Sequence, residues 1–496
     1  MIITGVAICL ALVVAVGFYS TRRVRGETDN FLVAGRSLGT PVVAVLLMSQ
    51  VVDSNATLGS ADLAASFGFW AGAAMPIGVA LAVLLVGLAF AKKLRRTEIV
   101  TLPEFFASRF GRGTEVTASL LTVMSFGILL AGNLVALGFL LEFFVGISYT
   151  WAVLALIPFA LAYTMAGGMF ASVYTGMVQF AVLAVGSAAL VVWVATGPGF
   201  SAEPGLGVGD LSQLTSAAEG AAINWATIVA LGLGNLVAID LMQRVFSAKS
   251  PEIAQRACFS AAAGILIVCV PLSLVAVAAV SIVGADAAHG PILYVLLGEY
   301  APTWLAIVVI SGLVIASLTT VSGILLSTAS VLVRNVLRIG GNSGAMSADV
   351  MKATRFAMIP MAALGAVVAL RVPQTGILLT LTFDLLLASI VAPFILGLYW
   401  KRGDARAVAA AVVAGISVRI GFFVLTPTIY GVDNTLLYIP NDLVGPSVDG
   451  WTTFLAAGVS FAAYILVAAT TTRRTDEPAT TAAPAPVSHA PATVRV

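Results

Sequence analysis

Thirteen apolar runs, most of them about 20 residues long, occupy most of this 496-residue chain. Runs of that length and number dictate a fold inside a lipid bilayer. They cover about 2–19, 41–66, 70–92, 116–144, 149–166, 171–196, 224–246, 257–284, 304–333, 354–371, 374–400, 405–425 and 451–472. Hydrophobic residues make up 60% of the chain and charged ones 10%, against about 25% charged in an ordinary soluble domain. That excludes a soluble enzyme and a nucleic-acid binder. The formal net charge of +2 decides little, because what matters is where the charges fall.

They are sharply sorted. With the N-terminus outside, the inner segments are 22–26, Arg36, Lys92 to Arg112, Arg244 to Arg256, Arg334 to Arg355, Lys401 to Arg406 and the tail. These hold 23 of the 25 Lys and Arg residues. The outer loops carry Glu203, Asp210, Glu219, Asp286, Glu299, Asp433, Asp442 and Asp449 instead. Positive charge is retained on the cytoplasmic side, so thirteen spans, an outer N-terminus and a cytoplasmic C-terminus support one another. The expected location is the cell (inner) membrane. The first run is not a cleaved leader, because its arginines (Arg22, Arg23, Arg25) follow it instead of preceding it. Cys9, Cys258 and Cys269 all lie in apolar runs, where they serve as small core side chains and not as a disulfide framework.

Within this apolar background, residues 49–60 (SQVVDSNATLGS) concentrate polar side chains around Asp53 and Asn55. A carboxylate at the bilayer centre costs roughly 2.5–3.5 kcal/mol on insertion scales. Irregular polar backbone survives at that depth only where it lines a cavity or is packed in protein. The segment therefore reads as a broken membrane helix lining a binding site. A second cluster, ASLTTVSG at 316–323, carries adjacent Thr319 and Thr320. Its hydroxyls either bond back to their own helix or supply oxygen ligands to a small hard cation. Three further ionisable residues lie within runs. Asp384 lines a substrate cavity or pairs with another span. Arg419, on a peripheral helix, is expected to serve a structural role or to snorkel toward the lipid surface, and Asp240 to form a helix ion pair with Arg244. Asn235 closes the glycine-rich LGLGN at 231–235.

Five stretches then become recognisable: FLVAGRSLG (31–39), TLPEFFASRFG (101–111), AGGMFASVYTGMVQF (166–180), QRVFSAKSPEIAQRA (243–257) and GLYWKRGDARA (397–407). In order and spacing the chain resembles the sodium:solute symporter family over roughly residues 1–425. The resemblance implies an all-α membrane protein of the leucine-transporter type: 13 transmembrane helices, a five-plus-five inverted-repeat core and peripheral helices 1, 12 and 13. The divisions are then 1–40 for the first helix and inner loop, 41–196 for the first repeat (spans 2–6) and 224–400 for the second (spans 7–11). Residues 401–472 form helices 12 and 13 with an outer loop, whose 426–449 stretch is expected as a short cap over the outer mouth, and the Pro/Ala/Thr-rich 473–496 a disordered tail.

The resemblance also implies a sodium ion held by the backbone carbonyls of Ser49, Val52 and Ala316 and the hydroxyls of Thr319 and Thr320. Two positions depart from the family pattern. Gly176 stands where members with a second coupling ion have Asp, which argues against a second sodium. Phe170 replaces a residue that is commonly basic. Substrate contacts are expected from Asp53, Asn55, Asn235 and Asp384. The function expected is sodium-coupled symport of a small polar or anionic metabolite by alternating access, with sodium and the bilayer as partners and no nucleic acid. A proton-coupled carrier on the same fold, with Asp53 or Asp384 as relay, is the nearest alternative; a channel or sensor is a more distant one. An enzyme is not expected, since His289 falls in an outer loop, His489 in the tail, and the runs hold no metal cluster or nucleophile triad.

Overall fold

The computed structural model describes residues 1–20, 34–97, 99–284, 290–339, 348–400, 402–434 and 437–471. Arg22, Arg23, Arg25, Asp286, His289, Lys401 and the tail 473–496 lie outside them, as does the side chain of Phe170. The described chain is almost wholly helical: α1 Ile2–Ser20, α2 Thr40–Val51, α3 Ser54–Phe67 and α4 Phe69–Arg95, then α5 Arg112–Val145 and α6 Tyr149–Thr196. There follow α7 Ala221–Val237, α8 Ile239–Phe246, α9 Pro251–Val283, α10 Thr303–Val336, α11 Ala348–Arg371, α12 Thr375–Tyr399, α13 Ala405–Leu425 and α14 Trp451–Thr470.

Among the described residues nine helices are long and apolar enough to span a bilayer. Two further spans arise if the bent pairs α2–α3 (52°) and α7–α8 (51°) are each counted as one. Two shorter apolar segments, Ile2–Leu12 and Tyr149–Met165, add to these. One expectation is corrected here. The runs 149–166 and 171–196 are not separated by a break, because helical hydrogen bonding continues through the glycine pair in the 48-residue α6. Glycine is well tolerated in membrane helices, and no proline lies at that point to remove a donor.

Burial separates centre from flank. The apolar window of α10 is 89% buried and that of α13 only 28%. α10 packs along α6, α5 and the bent α2–α3 pair, whereas α13 and α14 pack mainly on each other and on the π-helical turn Leu387–Val391 of α12. α1 lies against α6 and α10. The loop after α13 forms a small antiparallel hairpin, Thr428–Ile429 with Val432–Asp433. Asp449 holds its turn, accepting from the Tyr430 N–H (3.1 Å) and the Gly431 N–H (2.9 Å).

One end of the molecule is basic and sewn shut. Leu38 in GRSLG pairs with the SAKS segment, donating to Ser247 O (3.2 Å) and accepting from Lys249 N–H (2.9 Å). Glu104 of TLPEF pairs with Arg334 at 3.1 Å. Asn335 donates to Glu115 (2.8 Å) and accepts from Thr101 (2.8 Å). At the opposite, acidic end a cavity of about 700 Å³ opens between Asp62, Glu142, Phe139, Phe143 and Ile292.

Candidate functional site

The first break is built by the sequence at Val52 and Asp53. The α2 ladder runs as far as the Val52 N–H, which donates to Met48 O at 2.8 Å. Val52 (φ −96°, ψ 71°) and Asp53 (φ −104°, ψ 178°) then leave helical geometry. Asp53 starts α3 as its N-cap: one carboxylate oxygen accepts the Ala56 N–H at 2.7 Å, a donor that would otherwise return to Val52 O. An Asp at this position satisfies an orphan N–H of the first turn. Its other oxygen accepts from the Asn133 amide of α5 at 2.7 Å. The carbonyls of Ser49 and Val52 are thereby released from the helix at mid-span.

Across from them stands α10. Ser54 donates to Leu313 O, and Gly323 lies against the Gln50 amide, since a Cβ there would sit 2.7 Å from Gln50 Oε1. At about 3.6 residues per turn, Leu313, Ala316, Thr320 and Gly323 share one face, so Ala316 and Thr320 lie between these two anchors, opposite the break. Thr320 is 1% exposed and its hydroxyl has no hydrogen-bond partner among the described residues. Thr319 sits on the flank of that face and donates to Ile315 O at 2.9 Å. That bond consumes its proton but leaves its lone pairs available.

The second break follows a 3₁₀ turn, Asn235–Val237, and Ala238 in extended geometry (φ −65°, ψ 113°). The two breaks are tied together, because Gln50 at the end of α2 donates to the Asp240 carboxylate in the first turn of α8 at 2.6 Å. A small cavity of about 20 Å³, enough for one water-sized group, is lined there by Gln50, Asp53, Asn235, Asp240 and Phe383.

Of the residues singled out from sequence, Ser49, Val52, Asp53 and Asn235 meet at the breaks, with Ala316 and Thr320 facing them. Others are placed differently. Asn55 is fully buried and packs into the space left by Gly132, its amide unpartnered among the described residues. Asp384 turns away from the cavity and forms a buried ion pair with Arg419 of α13. Of its two expected roles Arg419 takes the structural one and does not snorkel: it is 5% exposed, because an unpaired carboxylate at that depth costs more than holding both charges together. The Asp240–Arg244 relation also differs from a simple side-chain pair. The Asp240 carboxylate caps Leu241 N–H (2.7 Å) and takes Gln50, while the Arg244 guanidinium donates to the Asp240 main-chain carbonyl at 2.8 Å. Three polar residues at the breaks escape the sequence reading: Gln50, Asn133 and Gln179. A lone amide in an otherwise apolar run, as in LLAGNLVAL, is the signal that could have found Asn133.

The sodium:solute symporter family model matches residues 31–415. The human high affinity choline transporter 1 is 24% identical over 440 residues, covering 82% of this chain and 74% of that one. The sodium/glucose cotransporter of Vibrio parahaemolyticus is 25% identical over 454 residues, 83% of this chain and 82% of that one. Among solved structures, the substrate-bound outward-open state of a Na+-coupled sialic acid symporter matches with a TM-score of 0.73 over 95% of this chain and 98% of that one. At 19% identity that match speaks for the leucine-transporter type fold alone.

Proposed function

The chain belongs to the sodium:solute symporter family, and on that premise we propose that it moves a small polar solute into the cell by alternating access. A member of this family is a multi-pass membrane transporter, not an enzyme, and its coupling ion is sodium. The ion is held, in this reading, by the carbonyls of Ser49, Val52 and Ala316 and the hydroxyls of Thr319 and Thr320. The observation that carries the reading is the pair of Ser49 and Val52 carbonyls, released from helical bonding at the first break and accepting from the Gln179 amide, beside the stretch of α10 that holds the buried, unpartnered Thr320 hydroxyl. Neutral oxygens of this kind suit a small hard monovalent cation.

The sorted charges support an outer N-terminus and a cytoplasmic basic end, so the acidic cavity beside Asp62 and Glu142 is the extracellular mouth. The divisions 41–196 and 224–400 act as the two repeats, each beginning with a bent span. Sodium bound across the break ties α2 to α10 and favours the state in which the basic end is shut; opening that end separates the ligands. Coupling requires the ion to prefer one state, since equal affinity for both would shift nothing. One charge moving through 100 mV supplies about 2.3 kcal/mol, and a tenfold sodium gradient about 1.4 kcal/mol. One ion could thus sustain a several-hundredfold accumulation of a neutral solute.

Asp53 stands in the wall of the small central cavity, and no Lys or Arg lines that cavity among the described residues; Arg244 lies behind Asp240, donating to its main-chain carbonyl. This favours a neutral or ammonium-bearing solute over the anionic one also expected from sequence. Proton relay by Asp53 or Asp384 finds little support, because both carboxylates are committed, to Ala56 N–H and Asn133 and to Arg419 respectively. The test is uptake into proteoliposomes at clamped potential, with labelled choline, glucose and lactate, under a sodium gradient or with potassium in its place. Sodium-dependent accumulation of a neutral or cationic compound is expected. Accumulation of lactate alone, or uptake driven equally well by a proton gradient in potassium, would overturn the reading.

A further inference from the structure

The two carbonyls proposed to bind sodium are already engaged. Gln179, fully buried on α6, donates its amide nitrogen to Ser49 O at 2.9 Å and to Val52 O at 3.2 Å. Both carbonyls thus share one donor nitrogen, which bridges them as a cation would. The amide orientation follows from chemistry: turned over, its oxygen would face two carbonyl oxygens with no proton between them. In the orientation found, Gln179 Oε1 is buried with no hydrogen-bond partner among the described residues, so the arrangement satisfies the carbonyls at that oxygen's expense.

The approach is made possible one turn earlier. Gly176 faces α2, and a Cβ in its place would lie 2.7 Å from Ser49 Oγ. Without a side chain there, α6 closes on the break until the Gln179 amide reaches the carbonyls. Tyr163, donating to Thr175 at 2.9 Å, holds the same stretch of α6.

We propose that Gln179 is the resident competitor of the sodium ion. With the site empty its N–H groups neutralise the freed carbonyls and keep the break from collapsing; sodium enters by displacing the amide. Gln179 therefore weakens sodium binding relative to a bare site, which sets the affinity low enough for release once the basic end opens. This inference rests on the proposed sodium site.

The test is equilibrium binding of radiolabelled sodium to the purified full-length protein, comparing wild type, Gln179→Met, Thr320→Val and the double variant. Methionine keeps the length and removes both donor hydrogens; Gln179→Leu serves if the methionine variant does not fold. Two hydrogen bonds that no longer have to be broken should tighten sodium binding by about tenfold. Thr320→Val should weaken binding severely in either background. Unchanged affinity in Gln179→Met would make the amide a mere brace, and weaker binding would make its Oε1 a ligand; either overturns the competitor. If Thr320→Val binds sodium as wild type does, the sodium site itself is misplaced and both readings fall.

Discussion

Two buried carboxylates at membrane depth, Asp53 and Asp384, look alike in the sequence and are 2% and 0% exposed, yet their surroundings differ in kind. Asp53 is held by neutral donors, the Ala56 N–H and the Asn133 amide, at a point where the backbone changes direction. Asp384 is held by a guanidinium that reaches in from a peripheral helix. The first carboxylate shapes a break that frees main-chain oxygens; the second fastens α13 to the core. Intramembrane charge alone therefore does not mark a transport site.

Breaking this contrast should have graded costs. Asp384→Asn leaves Arg419 buried without its counter-charge and should lower unfolding stability by about 3–5 kcal/mol. The pair Asp384→Asn with Arg419→Met should recover most of that loss in denaturant unfolding of the solubilised protein. Retained stability with lost solute binding would instead return Asp384 to the transport site. Asn133→Ala removes one neutral donor from the charged Asp53 and should cost about 1.5–3 kcal/mol, read in the same assay. Asp53→Ala removes the charge and loses the cap, about 0.5–2 kcal/mol, and leaves the buried Asn133 amide only its long 3.4 Å bond to Leu129 O. Sodium-dependent uptake should nonetheless fall to background, because the geometry of the break goes with the cap; unimpaired uptake would disprove the role given to it. Smallest is Glu104→Gln. That ion pair with Arg334 is 24% exposed on both sides, and exposed pairs contribute about 0–1 kcal/mol. Its stability should be nearly unchanged, and a loss as large as that of Asp384→Asn would remove the distinction between core and rim.

What could be read beforehand followed from local chemistry. The polar density of 49–60 announced a break because irregular polar backbone survives at that depth only where it lines a cavity or is packed in protein. The charge asymmetry of the loops came from the same kind of local reading. What could not be read were partnerships across helices. Asp384 and Arg419 stand in different spans, and nothing in either segment names the other, so a partner in another span was expected for Asp384 without Arg419 being picked out. Gln179 sits in a quoted motif but shows its importance only once Gly176 brings α6 against α2. The continuity of α6 through 166–172 was hidden because a glycine pair signals a loop in water more strongly than in a membrane helix.

Sodium is proposed to bind at the break between α2 and α3. The most direct test is a pair of high-resolution maps of the full-length protein, one in saturating sodium and one in potassium. Expected in sodium is an ion bridging the carbonyls of Ser49 and Val52 and the Thr320 hydroxyl, with Gln179 swung off the carbonyls, and in potassium the amide back on both. A sodium map with Gln179 still bridging Ser49 and Val52, or with an ion at another site, would contradict it.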